Sequence, residues 1–249
     1  MRLFALVLFA LLLSGQRDPV LVPEVSQHEV RLRQGFTGTE LLLFGAVLDP
    51  ARRGDEAYDI VVVLRGPSEA IRLREKEQVG PVWINAESTD FRSAPAFFAV
   101  VSSSPLADIV DERTAAIYEF GTDFIQLSPG GRVDPEEQAR FREGLVELRE
   151  GLGLYQQHEG GVTISEGVLY QARISLPSNV STGVYTAETF AVSDGRVLAS
   201  AVSEVEVRKV GFERFVEVAS QDWGLLYGLA ALVLSVLMGW LAGRLFALV

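Results

Sequence analysis

Through the middle of the chain, apolar and polar residues alternate in short runs divided by turn-forming residues, the period-two signature of half-buried strands. The runs lie at Glu40 to Leu48, Tyr58 to Leu64, Ala70 to Arg74, Ala96 to Ser102, Val168 to Leu176, Val184 to Val192 and Arg196 to Arg208. In the last of them Val197, Ala199, Ala201, Ser203, Val205 and Val207 share one face, and Glu204, Glu206 and Arg208 share the other. Ser193-Asp194-Gly195 ahead of it reads as a hairpin turn, with Gly195 free to take a positive φ. Gly66-Pro67-Ser68 reads as a second, joining Ile60–Arg65 to Ala70–Arg74. Strands at these intervals, with no regular βα alternation, predict an Ig-like antiparallel sandwich. Two small β lobes would satisfy the same spacing.

The period changes to that of a helix between the strand groups. Asp134-Pro135-Glu136-Glu137 supplies an N-cap, a proline at the first helical position and a glutamate for a capping box. Phe141, Leu145, Leu148 and Leu152 follow as one apolar stripe, and Gly151 and Gly153 end it. Pro105 to Tyr118 predicts a second helix, so a helical insertion occupies about residues 105–152. Ser128 to Arg132, SPGGR, reads as a mobile loop. Near the end, Phe212, Phe215, Val216, Ala219 and Trp223 recur at helical spacing, predicting a juxtamembrane helix over 211–222 that continues into the segment after it.

The two ends follow neither pattern. Residues 1–16 combine Arg2, eleven consecutive apolar residues from Leu3 to Leu13, and the small residues Ser14 and Gly15. This is the three-part plan of a secretory signal peptide, with cleavage expected after Gly15 or Gln16. As helix the apolar run reaches only about 16 Å, against the ~30 Å of a hydrocarbon core. Gly224 to Gly243, in contrast, runs twenty residues without a charge or a proline. That length spans a bilayer, with Trp223 and Tyr227 near one interface and Trp240 near the other. The domain plan is then a signal at 1–16, an exported β-rich domain at 17–210, the juxtamembrane helix, a transmembrane helix at 223–244 and a short cytoplasmic tail at 245–249.

Composition narrows what the exported domain can do. Apart from Arg2 and Arg244 the ends are uncharged, so the middle carries 20 basic against 33 acidic residues, a net charge of −13. Such a field repels nucleic acid and anionic lipid surfaces. There is no cysteine, which removes disulfides and thiol chemistry. The two histidines, His28 and His158, stand in no catalytic motif, and Lys76 and Lys209 are the only lysines. No G-x-S-x-G, S-x-x-K, calcium loop or phosphate-cradling glycine loop is present. Asp55-Glu56, Glu75/Glu77 and Asp111-Glu112 read as solvated charges. The expectation is a non-enzymatic protein with no catalytic residues, cofactor or metal.

Several segments carry a resemblance. FTGTELLLFGA at Phe36 to Ala46, Arg65-Gly66-Pro67, LPSNVSTGVYTAE at Leu176 to Glu188, and RKVGFE at Arg208 to Glu213 ahead of the terminal span resemble the alphaproteobacterial putative transmembrane protein family. The likeness covers nearly the whole chain. It implies a signal, an exported domain and a C-terminal anchor, and hence a bacterial inner-membrane protein with its N-terminal domain in the periplasm and its C-terminus in the cytoplasm.

Within the span, Ala231, Ser235, Gly239 and Gly243 are spaced by four, as are Gly224 and Gly228. Small residues at that spacing form a ridge along which a second helix can approach closely. The leading functional expectation is an accessory protein that binds a polytopic membrane protein such as a transporter, or self-associates, through this ridge. A small-molecule binding or sensing domain at the envelope is the alternative.

Overall fold

The computed structural model describes residues 19–33, 35–49, 58–131, 134–210, 216 and 219–246; the expected signal segment lies outside them. The chain divides into two compact units. One runs to Val30 and from Thr37 to Val207; the other joins Arg31–Phe36 to the segment from Arg208 onward.

The first unit begins with β1 (Val20–Val25), β2 (Glu29–Leu32), β3 (Thr39–Leu48) and β4 (Asp59–Arg65). A long hairpin, β5 (Ser68–Val79) and β6 (Val82–Pro95), leads to β7 (Phe98–Ser102). The insertion follows: α1 (Leu106–Ile109), α2 (Glu112–Tyr118), a 3-10 turn at Thr122–Phe124, the short β8 (Ser128–Pro129) and α3 (Pro135–Gly151). Then come β9 (Tyr155–His158), β10 (Val162–Ser165), β11 (Leu169–Leu176), β12 (Gly183–Ser193) and β13 (Arg196–Lys209).

A four-stranded sheet, ordered β1-β3-β11-β10, faces a six-stranded sheet, ordered β2-β13-β12-β4-β7-β9. The faces meet where β1 lies on β12 and β11 on β7. On β11, buried Tyr170, Ala172, Ile174 and Leu176 alternate with exposed residues, as the period-two pattern requires. On β12, Tyr185, Ala187 and Thr189 are buried in the same alternation, and from Thr189 to Val192 every residue is buried. The fold is the mainly β sandwich with a helical insertion that the alternation predicts.

Two features depart from simple alternation, and both follow from the insertion. All five residues Ile60 to Leu64 of β4 are buried, and so is the whole of β7. Helical segments cover the outer face of these strands. Phe190 of β12, which pairs with Val61, lies in an aromatic cluster with Tyr118 and Phe120, ring centroids 5.4 and 4.9 Å away. Arg65 clasps the same face, meeting Glu119 at 2.8 Å, Glu188 at 3.1 Å and the Tyr118 carbonyl at 3.3 Å. Because β9 returns after the insertion, it pairs with β7 in parallel, whereas β4 pairs antiparallel with both β12 and β7.

Gly66-Pro67-Ser68 is not a hairpin turn. The neighbours of β4 are β12 and β7, so the chain does not fold back on itself there. The Gly66 N–H donates to the Phe97 carbonyl and the Ala96 N–H to the Pro67 carbonyl, both at 2.8 Å. The ladder therefore continues from Val61↔Ser102 through Arg65↔Phe98 and Ser68↔Pro95 to Val79↔Val82, with register shifts after Glu69 and Glu75. β4–β5 and β6–β7 are one continuous ribbon, its base in the sandwich and its turn at Gly80-Pro81. Gly66 is needed at the join, since a Cβ there would lie 3.0 Å from the Phe97 backbone nitrogen.

Three other expectations change. Pro105 to Tyr118 is two short helices, because Val110 is extended and Asp111 caps α2 instead, accepting from the Thr114 N–H at 2.9 Å. The Ser128–Gly130 part of the expected loop is pinned: Ser128 and Pro129 pair with β6, and the Gly130 N–H donates to the Asp90 carbonyl at 2.6 Å. On α3, capped as predicted by Asp134 accepting from the Glu136 N–H, only Phe141 and Leu145 are buried, while Leu148 and Leu152 are exposed.

α3 also braces the ribbon. Arg149 ion-pairs with Glu69 and donates to the Ala96 carbonyl. Nine residues earlier, Arg140 pairs with Glu75 and Glu87. The ribbon is held as far as those two glutamates.

Candidate helix-packing face of the membrane span

The second unit carries α4 (Gly224–Phe246), one 23-residue helix. Leu, Val and Ala dominate it, so no polar face is available for packing in water. Gly224–Arg244 has a mean hydropathy of 2.1, none of it buried within the chain. At ~1.5 Å per residue it matches a bilayer core. Residues 211–215, 217 and 218 of the expected juxtamembrane helix lie outside the described residues. Those described from 219 to 222 are helical, and the helix is interrupted at Trp223 rather than passing smoothly into the span. The Tyr227 N–H donates to the Trp223 carbonyl at 2.9 Å, so the membrane helix takes its first turn from that residue.

Gly224, Gly228, Ala231, Ser235, Gly239 and Gly243 fall along one side of α4, as their spacing predicts. A Cβ added to any of the four glycines would meet nothing within 4 Å. Among the described residues these positions serve no packing need. The Ser235 hydroxyl donates to the Ala231 carbonyl at 2.9 Å, so the ridge's polar group is already satisfied in hydrocarbon. Beside the ridge and sharing Ala231 with it, Ala219, Trp223, Leu226, Tyr227, Ala230 and Leu234 line an apolar hollow of about 630 Å³. At the other end the Arg244 guanidinium lies 5.9 Å from the Trp240 ring centroid, an interfacial cation–π pair.

The β unit offers a different kind of site. A cleft of about 360 Å³ has a floor of Leu106, Val110, Ala115, Phe120 and Phe124, and a rim of Asp111, Glu112, Asp123 and Glu159. Two of these carboxylates are engaged. Asp111 caps α2, and that bonding with Thr114 holds its carboxyl below the ordinary carboxylate value. Glu159 accepts from the Gln157 amide at 3.2 Å. The cleft was not legible in the sequence, since α1, α2, the 3-10 turn and β9 come together only in the fold.

The histidines are apart and outside this cleft's lining. His28 is exposed beside Glu24 at 3.1 Å, and His158 is exposed at the end of β9. Asp55-Glu56 lies outside the described residues. Glu75 is bound to Arg140, and Glu77 sits near the ribbon's turn. Among the described residues no three His, Cys, Asp or Glu side chains converge to hold a metal.

Sequence reasoning also missed the ribbon's turn. Val79, Val82, Trp83 and Ile84 there are 53, 57, 64 and 45% exposed. The signal was available in Gly80-Pro81 between two runs of alternating residues, but the runs are too polar on both faces to suggest a core strand.

A family model described as Putative transmembrane protein (Alph_Pro_TM) matches residues 20–247. No curated protein and no solved structure matches the chain.

Proposed function

The chain belongs to this transmembrane family, and from that premise we propose that it is a non-enzymatic accessory protein which binds a polytopic membrane protein, such as a transporter, through the small-residue side of α4. In this reading the β domain lies on the periplasmic side of a bacterial inner membrane and the C-terminus in the cytoplasm. The observation that supports it is the open ridge: four glycines with no neighbour to accommodate among the described residues, aligned with Ala231 and a Ser235 whose hydroxyl is already bonded. In lipid, apolar area drives little helix association, so close backbone approach and dispersion decide it.

Replacing Gly239 and Gly243 with Leu tests this directly. No described residue obstructs the new side chains, so insertion and folding should persist while co-purification of a partner in mild detergent falls severalfold. Leu234→Ile with Leu237→Ile, off the ridge, should change little. Undiminished co-purification in the Gly variants would refute the ridge as the binding face. A loss of self-association alone would identify the partner as a second copy.

A second reading, small-molecule binding, is favoured by the cleft, whose apolar floor and acidic rim suit an organic cation. It would appear as a cation-dependent rise in the melting temperature of the domain, with the ridge variants unaffected.

A further inference from the structure

Past the Arg140 ion pairs with Glu75 and Glu87, the β5–β6 hairpin runs on to a turn that no described residue covers. From Gln78 to Ala86 it reads QVGPVWINA, with no charge. Val82 and Trp83 are its most exposed apolar residues, at 57 and 64%. The register Val79↔Val82, Gln78↔Trp83 and Glu77↔Ile84 places Val79, Val82 and Ile84 on one face and Trp83 on the other. A protein groove reads one face of such a hairpin and leaves the other polar toward water. Here apolar side chains point both ways around the turn, which suits a medium that surrounds it.

We propose that this hairpin tip dips into the interfacial layer of the bilayer in which α4 is anchored. The inference is independent of the ridge. Trp at the end of an apolar element favours the headgroup boundary, where its ring is buried and its N–H stays hydrated. The backbone is suited to a shallow dip. Gly80 takes φ +62 to make the tight turn, Pro81 has no N–H to leave unpaired, and the Val79–Val82 pair closes the ladder directly behind them. From Glu75 to Gly80 a strand advances about 17 Å, more than the ~5–10 Å of an interfacial insertion. The neighbouring charges are Glu75, Lys76, Glu77 and Glu87, so no basic collar attracts anionic headgroups. Contact must be driven by apolar area, and neutral lipid should suffice. Because the chain carries its own anchor, the bilayer is always at high effective concentration, and even a weak contact is populated.

The test uses the full chain with Trp223→Phe and Trp240→Phe, which leaves Trp83 as its sole tryptophan. It is placed, one copy per disc, in phosphatidylcholine nanodiscs with or without bromine on the acyl chains. The expected result is blue-shifted emission, quenched severalfold by bromolipid, resistant to aqueous iodide and insensitive to salt. Adding Val82→Asp, an exposed turn substitution that leaves the sandwich untouched, should return Trp83 to water and abolish bromolipid quenching. Emission like that of free tryptophan, open to iodide and indifferent to bromolipid, would overturn the proposal. So would blue-shifted emission without bromolipid quenching, which would mean that protein covers the tip. Bromolipid quenching that survives Val82→Asp would also overturn it.

Discussion

The two ends of the ribbon from Asp59 to Ser102 are built from similar residues and meet opposite surroundings. At the base, Ile60 to Leu64 are all 0% exposed, with β12 and β7 on either side, the second sheet on one face and the insertion's aromatic cluster on the other. At the turn, Val79 and Val82 face each other across the ladder, while Trp83 and Ile84 face only the polar Gln78 and Glu77. Both ends form strand, since β-branched and aromatic residues fit an extended backbone wherever it lies. Burial is decided by what the rest of the chain brings alongside. The base therefore stabilises the fold, and the turn presents a surface.

This contrast can be tested from its strongest end downward. Val62→Asp puts an unpaired charge at a fully buried position between Thr189 and Val101. The cost is about 3–5 kcal/mol or more, set against a total stability of ~5–15 kcal/mol. The expected outcome is loss of the β circular dichroism signal and rapid proteolysis of the domain. A folded variant would mean that the base is not the core.

A smaller effect should come from Tyr155 of β9, which stands edge-on to Phe98 at 6.1 Å and donates to the Pro95 carbonyl at 2.9 Å. Burial, with a minor contribution from Glu69, pushes its phenol from 10.0 up to about 12, against a small opposing pull from Arg149. A raised phenol keeps its proton longer in the folded state. Its stabilisation is thus full below pH 10 and lost as pH rises through about 12, amounting to roughly 2–3 kcal/mol. Urea midpoints measured across that window should fall, and Tyr155→Phe should flatten the fall. An unchanged slope in the variant would assign the alkaline loss to other groups, such as Tyr170 and Tyr185, which burial also raises.

At the turn the expectation is the absence of an effect. Val82→Ser should shift the stability of the domain by no more than about 0.5 kcal/mol, as at other exposed positions. A loss above ~1 kcal/mol in urea titration would show that the tip is packed against its own domain.

Much of the fold was readable in the residues. The strands from Glu40, Tyr58, Val168, Val184 and Arg196 lie within a residue or two of their expected bounds, because alternation survives where one face meets water, as on β11, and a β-branched run marks β4 even with both faces buried. Asp134-Pro135 marked the start of α3, and the charge-free run marked α4. What escaped notice was the outer half of the ribbon, REKEQV before the turn and NAESTD after it. Thr89 apart, these mostly polar residues are exposed or half-buried, so alternation carries no apolar signature there. Gly66-Pro67 misled for a related reason. The pair has turn chemistry, but its backbone bonds go to Ala96 and Phe97, thirty residues along the chain.

By itself the sequence determined local matters: which runs extend, where α3 is capped, that one helix is apolar on every side, and that small residues align along it. Each depends on propensity, period or composition within a few turns of chain. Only the tertiary structure decided that β4 and β7 are buried on both faces, that four acidic residues rim an apolar cleft beside Phe120, and that Arg140 and Arg149 brace a ribbon whose apolar tip stands clear. Those outcomes depend on pairings between segments far apart in the chain, such as Val61 with Phe190 and Glu69 with Arg149. No local pattern encodes them, because burial belongs to the pair and not to either residue.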